Sequence, residues 1–218
     1  MRILVTGFNP FRGVRINPSE LVVKALAQRT LQFSKRYPAL EIITAILPTE
    51  YIAATRLLRS LMRTTRPDGV ICLGVASRRE RISLERVALN WDDDPTPDNA
   101  GRIRRGRRIA PGGPDVYWST LPLDPMREAL RKHGIKSYVS NHAGTFVCNH
   151  AFYVARKEAA RRPRPIPCGF IHLPGHLPGQ LKSRQRSHTG AAVRRFVEAI
   201  ECCLKVLGRE TARKKKPG

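Results

Sequence analysis

The chain has 218 residues, 41% of them hydrophobic and 6% aromatic, with a formal net charge of +23 at pH 7. This length allows one sizeable hydrophobic core, and no apolar run approaches the roughly 20 residues of a membrane span. The opening MRILVTGF lacks the length and the small-residue cleavage site of a signal peptide, so we expect a cytoplasmic protein.

The first 90 residues alternate short apolar runs with segments of helical spacing. Buried strands are predicted at four runs, residues 2–6, 40–47, 69–74 and 83–90. Helices are predicted at 18–29, which opens with proline, and at 49–66. The repeated strand–helix order indicates an α/β domain with helices on both faces of a largely parallel sheet.

Residues 91–118 are rich in proline and glycine and show no periodicity, which predicts a long irregular loop. The alternation then resumes, with strands predicted at 136–140 and 168–173 and helices near 124–133, 147–161 and 188–207. We therefore expect a single domain over 1–208, followed by a basic, disordered tail at 209–218.

The charge comes from 40 Lys and Arg against 17 Asp and Glu. Such an excess attracts polyanions without sequence preference. The arginines concentrate at 102–108 (RIRRGRR) and 161–165, but no zinc-finger spacing, RNP-like strand or basic heptad region accompanies them. Binding of nucleic acid or another polyanion by the basic surface, in a protein with weak catalytic activity, is therefore kept as the alternative to an enzymatic function.

The segment AGTFVCNHAFY places Cys148 in the first turn of a predicted helix. The positive end of a helix dipole lowers a thiol pKa, and a neighbouring imidazole completes the activation of a nucleophile. His150 lies only two residues away and points to another side of the helix, whereas His172 lies at the carboxyl end of a predicted strand, where its side chain can face the start of the helix. Free cysteines are more often buried packing residues, so spacing alone favours that interpretation.

Glu85 is a lone carboxylate within the apolar ISLERVALN. A carboxylate inside a sheet is costly unless it is paired. It either orients an imidazole or forms a salt bridge with a nearby arginine such as Arg81 or Arg86.

Seven motifs, in the family's order, resemble the pyroglutamyl peptidase I (pyrrolidone-carboxylate peptidase) family of cysteine peptidases. They are ILVTGFNPFRGVRINPSE, LPTEY, ISLERVALN, PDNAG, YWSTLPL, SNHAGTFVCNHAFY and GFIHLP, and the resemblance runs to about residue 207. It implies a three-layer α/β/α sandwich with a mixed, largely parallel twisted sheet of the phosphorylase/hydrolase-like type. It further implies an exopeptidase that removes N-terminal 5-oxoproline without metal or organic cofactor, with Cys148, His172 and Glu85 as its triad, and a homo-oligomer of two or four chains.

The same resemblance implies a pocket for the 5-oxoproline ring. Its residues correspond to Phe8, Phe11, Asn17, Thr49, Val75, Phe146 and Val147. The chain departs from the family pattern at Arg12, at Pro95 and in the basic run 102–108. These departures leave the expected triad intact and bear on affinity, subsite preference and assembly.

Overall fold

A computed structural model describes residues 1–175 and 187–215. In that part of the chain no helix is long and apolar enough to cross a membrane. The five helices are α1 (Pro18–Arg36), α2 (Tyr51–Thr65), α3 (Leu123–Lys132), α4 (Val147–Ala160) and α5 (Ser187–Lys215). The nine strands are β1 (Arg2–Phe8), β2 (Glu41–Leu47), β3 (Gly69–Ala76), β4 (Ile82–Leu89), β5 (Asp92–Asp94), β6 (Arg104–Arg107), β7 (Val116–Trp118), β8 (Ser137–His142) and β9 (Cys168–Pro174).

Seven strands form one mixed sheet. Its order is β2-β1-β3-β9-β4-β7, and β8 pairs separately with β4. The β1–β2, β1–β3, β3–β9 and β4–β8 pairs are parallel, whereas β4 runs antiparallel to β9 and β7. The predicted fold class, an α/β sandwich around a largely parallel sheet, is confirmed.

The two faces of the sheet carry separate apolar clusters because side chains alternate along each strand. In β3, Ile71 and Leu73 join a cluster with α1, α3 and α5, whereas Val70 and Cys72 join a cluster with α2 and α4. Strand β3 therefore has helices on both faces, which explains its continuous apolar run.

Residues 91–118 contain more regular structure than the composition predicts. Strands β5 and β6 pair with each other, and β7 pairs with β4 at the edge of the main sheet. The acidic run at β5 faces the basic run at β6: Arg104 Nη1 donates to Asp92 Oδ2 at 3.0 Å, and the backbone N–H of Gly106 donates to Asp93 Oδ1 at 3.2 Å. Part of the basic charge in 102–108 is thus paired within the fold.

Helix α5 continues to Lys215, into the segment expected to be a disordered tail. Leu207 is buried against the core, which anchors this last part of the helix. The residues that follow Leu207 contain several good helix formers, so the helix propagates beyond its packed part. Residues 216–218 of the expected tail lie outside the described part of the chain.

Candidate active site

Three strands present their site residues on the face covered by α2 and α4. Phe170 belongs to the cluster on this face, so His172, two residues later in β9, points the same way. In the sheet, His172 is paired with Gly74 of β3 and with Ser83 of β4, and Glu85 is two residues beyond Ser83. These side chains therefore share one face, above which α4 begins with Val147 and Cys148.

Gly74 makes room for the thiol of Cys148. A Cβ atom at this position would lie 2.9 Å from Cys148 Sγ and 2.7 Å from Cζ of Phe170. Both separations are shorter than ordinary contacts between carbon or sulfur atoms. The ring of Phe170 also packs against that of His172, with centroids 4.7 Å apart. The close approach of α4 to β3 thus depends on the absence of a side chain at Gly74.

His172 is oriented by a buried carboxylate. Its Nδ1 is 2.8 Å from Oε1 of Glu85, whose side chain is fully buried. Because an ionised carboxylate only accepts hydrogen bonds, this contact assigns the proton to Nδ1 and leaves Nε2 of a neutral imidazole as an acceptor. The same Oε1 accepts a hydrogen bond from Nη1 of Arg79. Within the described residues, the arginine that pairs with Glu85 is therefore Arg79 and neither Arg81 nor Arg86.

The environment of Cys148 opposes its ionisation. Burial raises the pKa of the thiol to about 12, the Glu85 carboxylate raises it as well, and a backbone hydrogen bond from Val75 lowers it. This direction differs from the lowering expected at a helix N-terminus, because loss of water and a nearby negative charge outweigh the dipole. The raised pKa favours the neutral thiol near pH 7, so a reaction of Cys148 needs a base that takes its proton.

A cavity of about 370 Å³ opens beside Cys148 and His172. Its walls include six of the seven residues predicted to bind substrate: Phe8, Phe11, Asn17, Thr49, Val75 and Phe146. The rings of Phe11 and Phe146 are 6.2 Å apart, and Tyr51 packs edge-on against Phe146 at 5.7 Å. The cavity thus has aromatic walls next to a thiol and an imidazole.

The two polar side chains predicted for this cavity are engaged with the loop that follows β1. Asn17 caps α1 through Oδ1, which accepts from Ser19 N at 3.1 Å, and its Nδ2 donates to the carbonyl of Asn9 at 3.1 Å. Thr49 Oγ1 donates to the same carbonyl at 2.9 Å. These residues therefore shape the cavity, and Thr49 Oγ1 retains acceptor capacity.

Val147 is the predicted substrate-binding residue that does not line the cavity. Its side chain is fully buried in the cluster under α4. The N-cap residue Phe146 provides no side-chain hydrogen bond to the helix start, and the first backbone N–H groups of a helix have no acceptor within it. Val147 and Cys148 thus contribute backbone donors at this end of α4.

His150 belongs to a second buried network and points away from Cys148. Its Nδ1 is 2.8 Å from Asp92 Oδ2, and its Nε2 is 2.8 Å from Thr55 Oγ1. Arg104 donates to the same Asp92 oxygen at 3.0 Å. This network ties α2, α4 and the β5–β6 pair together and agrees with the prediction that His150 is a poor partner for Cys148.

Arg79 and Asn149 belong to the site although the sequence analysis assigns neither of them a role. Arg79 lies in the charged run SRRER, where nothing distinguishes it from its neighbours. Asn149 is fully buried, and its amide bonds to both backbone groups of Leu89 and to the carbonyl of Trp91, at 2.9–3.0 Å. Buried amide side chains are uncommon, so burial of Asn149 could not be expected from its residue type. Its position next to Cys148 was the one feature of the sequence that pointed to it.

Comparison with known proteins decides the family. The family model described as pyroglutamyl peptidase matches residues 1–210. The chain belongs to the pyroglutamyl peptidase family. The family predicted from the motifs is thereby confirmed, as is the predicted enzyme class, a hydrolase of peptide bonds.

Among residues 1–175 and 187–215, no group of three or more His, Cys, Asp or Glu side chains is placed to hold a metal ion.

Curated relatives and solved structures of the pyroglutamyl peptidase family extend over nearly the whole chain. A pyrrolidone-carboxylate peptidase of Bacillus mycoides is 39% identical, covering 94% of this chain and 93% of its own, and one of Gloeobacter violaceus is 38% identical, covering 96% and 98%. The crystal structure of Bacillus amyloliquefaciens pyroglutamyl peptidase I gives a TM-score of 0.81 at 35% identity, covering 95% of this chain and 97% of that one. Pyrrolidone carboxyl peptidase from Pyrococcus furiosus gives 0.84 at 32% identity, covering 96% and 99%. Because every one of these proteins is named as a peptidase, the polyanion-binding alternative is not favoured.

Proposed function

We propose that this protein hydrolyses the peptide bond that follows an N-terminal 5-oxoproline residue, with Cys148 as nucleophile, His172 as general base and acid, and Glu85 as the group that orients His172. The observation that carries the proposal is that Cys148 and His172 line one aromatic cavity, while Nδ1 of His172 is held by a buried carboxylate. Family membership supports the substrate class.

The first half of the reaction forms a thioester. Nε2 of His172 takes the thiol proton as Cys148 Sγ attacks the carbonyl carbon of the 5-oxoproline residue. Unpaired backbone N–H groups at the start of α4 stabilise the oxyanion of the tetrahedral intermediate. The intermediate collapses as His172 gives its proton to the leaving amine, so the peptide bond breaks and the shortened peptide departs.

The second half regenerates the thiol. His172 takes a proton from water, which attacks the thioester carbonyl, and the proton then returns to Cys148 as 5-oxoproline leaves. Because burial raises the thiol pKa to about 12, the thiol passes its proton to His172 as it attacks. Glu85 stabilises the imidazolium at both stages.

The shape of the cavity supports recognition of a small, uncharged ring. Phe8, Phe11 and Phe146 offer apolar walls, and Thr49 Oγ1 and the backbone near Val75 offer polar contacts for the lactam. A site built to bind the lactam leaves polar groups unpaired when plain proline enters, so prolyl substrates are rejected.

The decisive experiment measures release of a fluorescent amine from its 5-oxoprolyl amide and from its prolyl amide. We expect turnover of the first alone, with loss of turnover in Cys148→Ser and His172→Ala. Arg12→Gln, which changes an exposed residue, is the matched control. A wild-type protein that is inert with the 5-oxoprolyl amide would rule the proposal out.

Location and assembly are part of the same proposal. All five cysteines are free thiols, which favours a reducing compartment such as the cytoplasm. The net charge of +23 supports weak, salt-sensitive polyanion binding that is separate from catalysis. Sedimentation of the wild-type protein would test for the dimer or tetramer that the family resemblance implies.

A further inference from the structure

The loop between β3 and β4 sends Arg79 towards Glu85. The guanidinium donates through Nη1 to Oε1 of Glu85, the oxygen that also holds His172. Its Nη2 donates to the carbonyl of His142, at the end of β8, over 3.4 Å. Arg79 thus links three segments of the active-site region, and its side chain is only 26% exposed.

A buried Glu85 carboxylate needs this cation. Its side chain has no exposure to water, and Oε2 has no hydrogen-bond partner within the described residues. A neutral imidazole supplies one hydrogen bond but no compensating charge, and an uncompensated buried carboxylate takes up a proton to avoid the cost of burial. A protonated Glu85 would no longer be an obligatory acceptor for His172 Nδ1–H.

We propose that Arg79 is a positioning residue of the reaction: its guanidinium supplies the counter-charge of the buried Glu85 carboxylate and keeps that carboxylate in place, so that Nδ1–H of His172 donates to Glu85 and Nε2 stays available to Cys148. This inference rests on the proposed roles of those three residues. Arg79 acts through Glu85 and is not itself a catalytic residue, although its side chain lines the cavity.

Arg81 provides a matched control for Arg79. It lies two residues further along the chain, it is exposed, and its guanidinium stacks on the ring of Tyr138 at 4.8 Å, away from the residues that line the cavity. Unlike Arg79, it makes no hydrogen bond to Glu85 within the described part of the chain. A change at Arg81 removes the same charge without touching the contact between Arg79 and Glu85.

The experiment compares Arg79→Gln, Arg79→Lys and Arg81→Gln with wild type on the 5-oxoprolyl amide. In Arg79→Gln, kcat falls about 10- to 100-fold, the range seen when a group that orients a functional side chain is lost, whereas KM changes less than threefold. Arg79→Lys, which keeps the charge but not the planar fork, recovers part of this loss. Arg81→Gln keeps the wild-type kcat.

The pH profile separates positioning from a merely structural role. Within residues 1–175 and 187–215, the titratable or charged groups that contact Glu85 are Arg79 and His172, and Cys148 lies close enough for the carboxylate to raise the pKa of its thiol. Removing the positive charge favours protonated forms of its neighbours, so the acidic limb of kcat/KM moves to higher pH in Arg79→Gln and stays in place in Arg81→Gln. A loss of activity with an unshifted limb, or a loss expressed only in KM, overturns the proposal.

Labelling of Cys148 by iodoacetamide provides a readout that needs no substrate. The rate should fall in Arg79→Gln, with the labelled peptide identified by mass spectrometry and folding checked by thermal unfolding. If the wild-type protein does not cleave the 5-oxoprolyl amide but its Cys148 is still labelled more slowly in Arg79→Gln, the proposed substrate is refuted and the role of Arg79 is retained. An active wild type with unchanged Arg79→Gln kinetics refutes Arg79 alone. If Arg79→Gln does not fold, Arg79→Lys decides by its pH profile.

Discussion

Replacing Gly74 by alanine tests how the site is assembled. A Cβ atom at Gly74 would lie 2.7 Å and 2.9 Å from two ring atoms of Phe170 and 2.9 Å from Sγ of Cys148. One neighbour is the proposed nucleophile, and the other packs against the ring of His172. The added methyl group would therefore displace both halves of the proposed Cys–His pair.

The size of the effect follows from these separations. Non-bonded heavy atoms rest about 3.5–4.0 Å apart, so the neighbours must move by up to about 1 Å. Overpacking of this kind costs about 1–3 kcal/mol of unfolding free energy. A misplacement of about 1 Å between reacting groups costs about 100-fold in rate. We expect Gly74→Ala to lose both stability and about two orders of magnitude in kcat.

Gly69→Ala is the matched control, because Gly69 begins the same strand far from the cavity. Its nearest neighbours would be the flexible Met1 side chain at 3.2 Å and Leu207 at 3.4 Å. Urea unfolding should show a cost below about 1 kcal/mol, and turnover should be unchanged. Gly74→Ala with wild-type kcat, or an equal kcat loss in Gly69→Ala, would refute the reasoning.

Three further outcomes are expected. Because burial raises the pKa of Cys148 to about 12, its iodoacetamide labelling rate should climb about tenfold per pH unit between pH 6 and 9, and a plateau below pH 7 would contradict the neutral thiol. Asp92→Ala breaks the buried contact with His150 and should cost about 3–5 kcal/mol in urea unfolding; a cost below 1 kcal/mol would show that the contact is dispensable. Asn149→Ala removes three buried hydrogen bonds and should cost about 3 kcal/mol by the same method, unless water replaces the amide.

Much of the fold follows from local patterns. The apolar runs predict β1, β3 and β9 within one or two residues, because a strand buried on both faces is apolar throughout. The short strands β5, β6 and β7 escape prediction, since their pairing depends on partners distant in sequence. Thus Asp92 pairs with Arg107, and Val116 with Leu89 of β4. The C-terminal end of α5 was not predicted either, because composition does not show which residues pack against the core.

The sequence by itself determined the family, the α/β class and six of the residues that line the cavity, because short motifs of fixed residue type can be read directly from the sequence. It did not determine that Arg79, rather than Arg81 or Arg86, reaches Glu85, nor that burial raises the pKa of the Cys148 thiol. Both depend on distances and burial created when β3, β4, β9 and α4 pack together. Electrostatic effects on a buried group are set by its neighbours in space, so only the tertiary structure decided them.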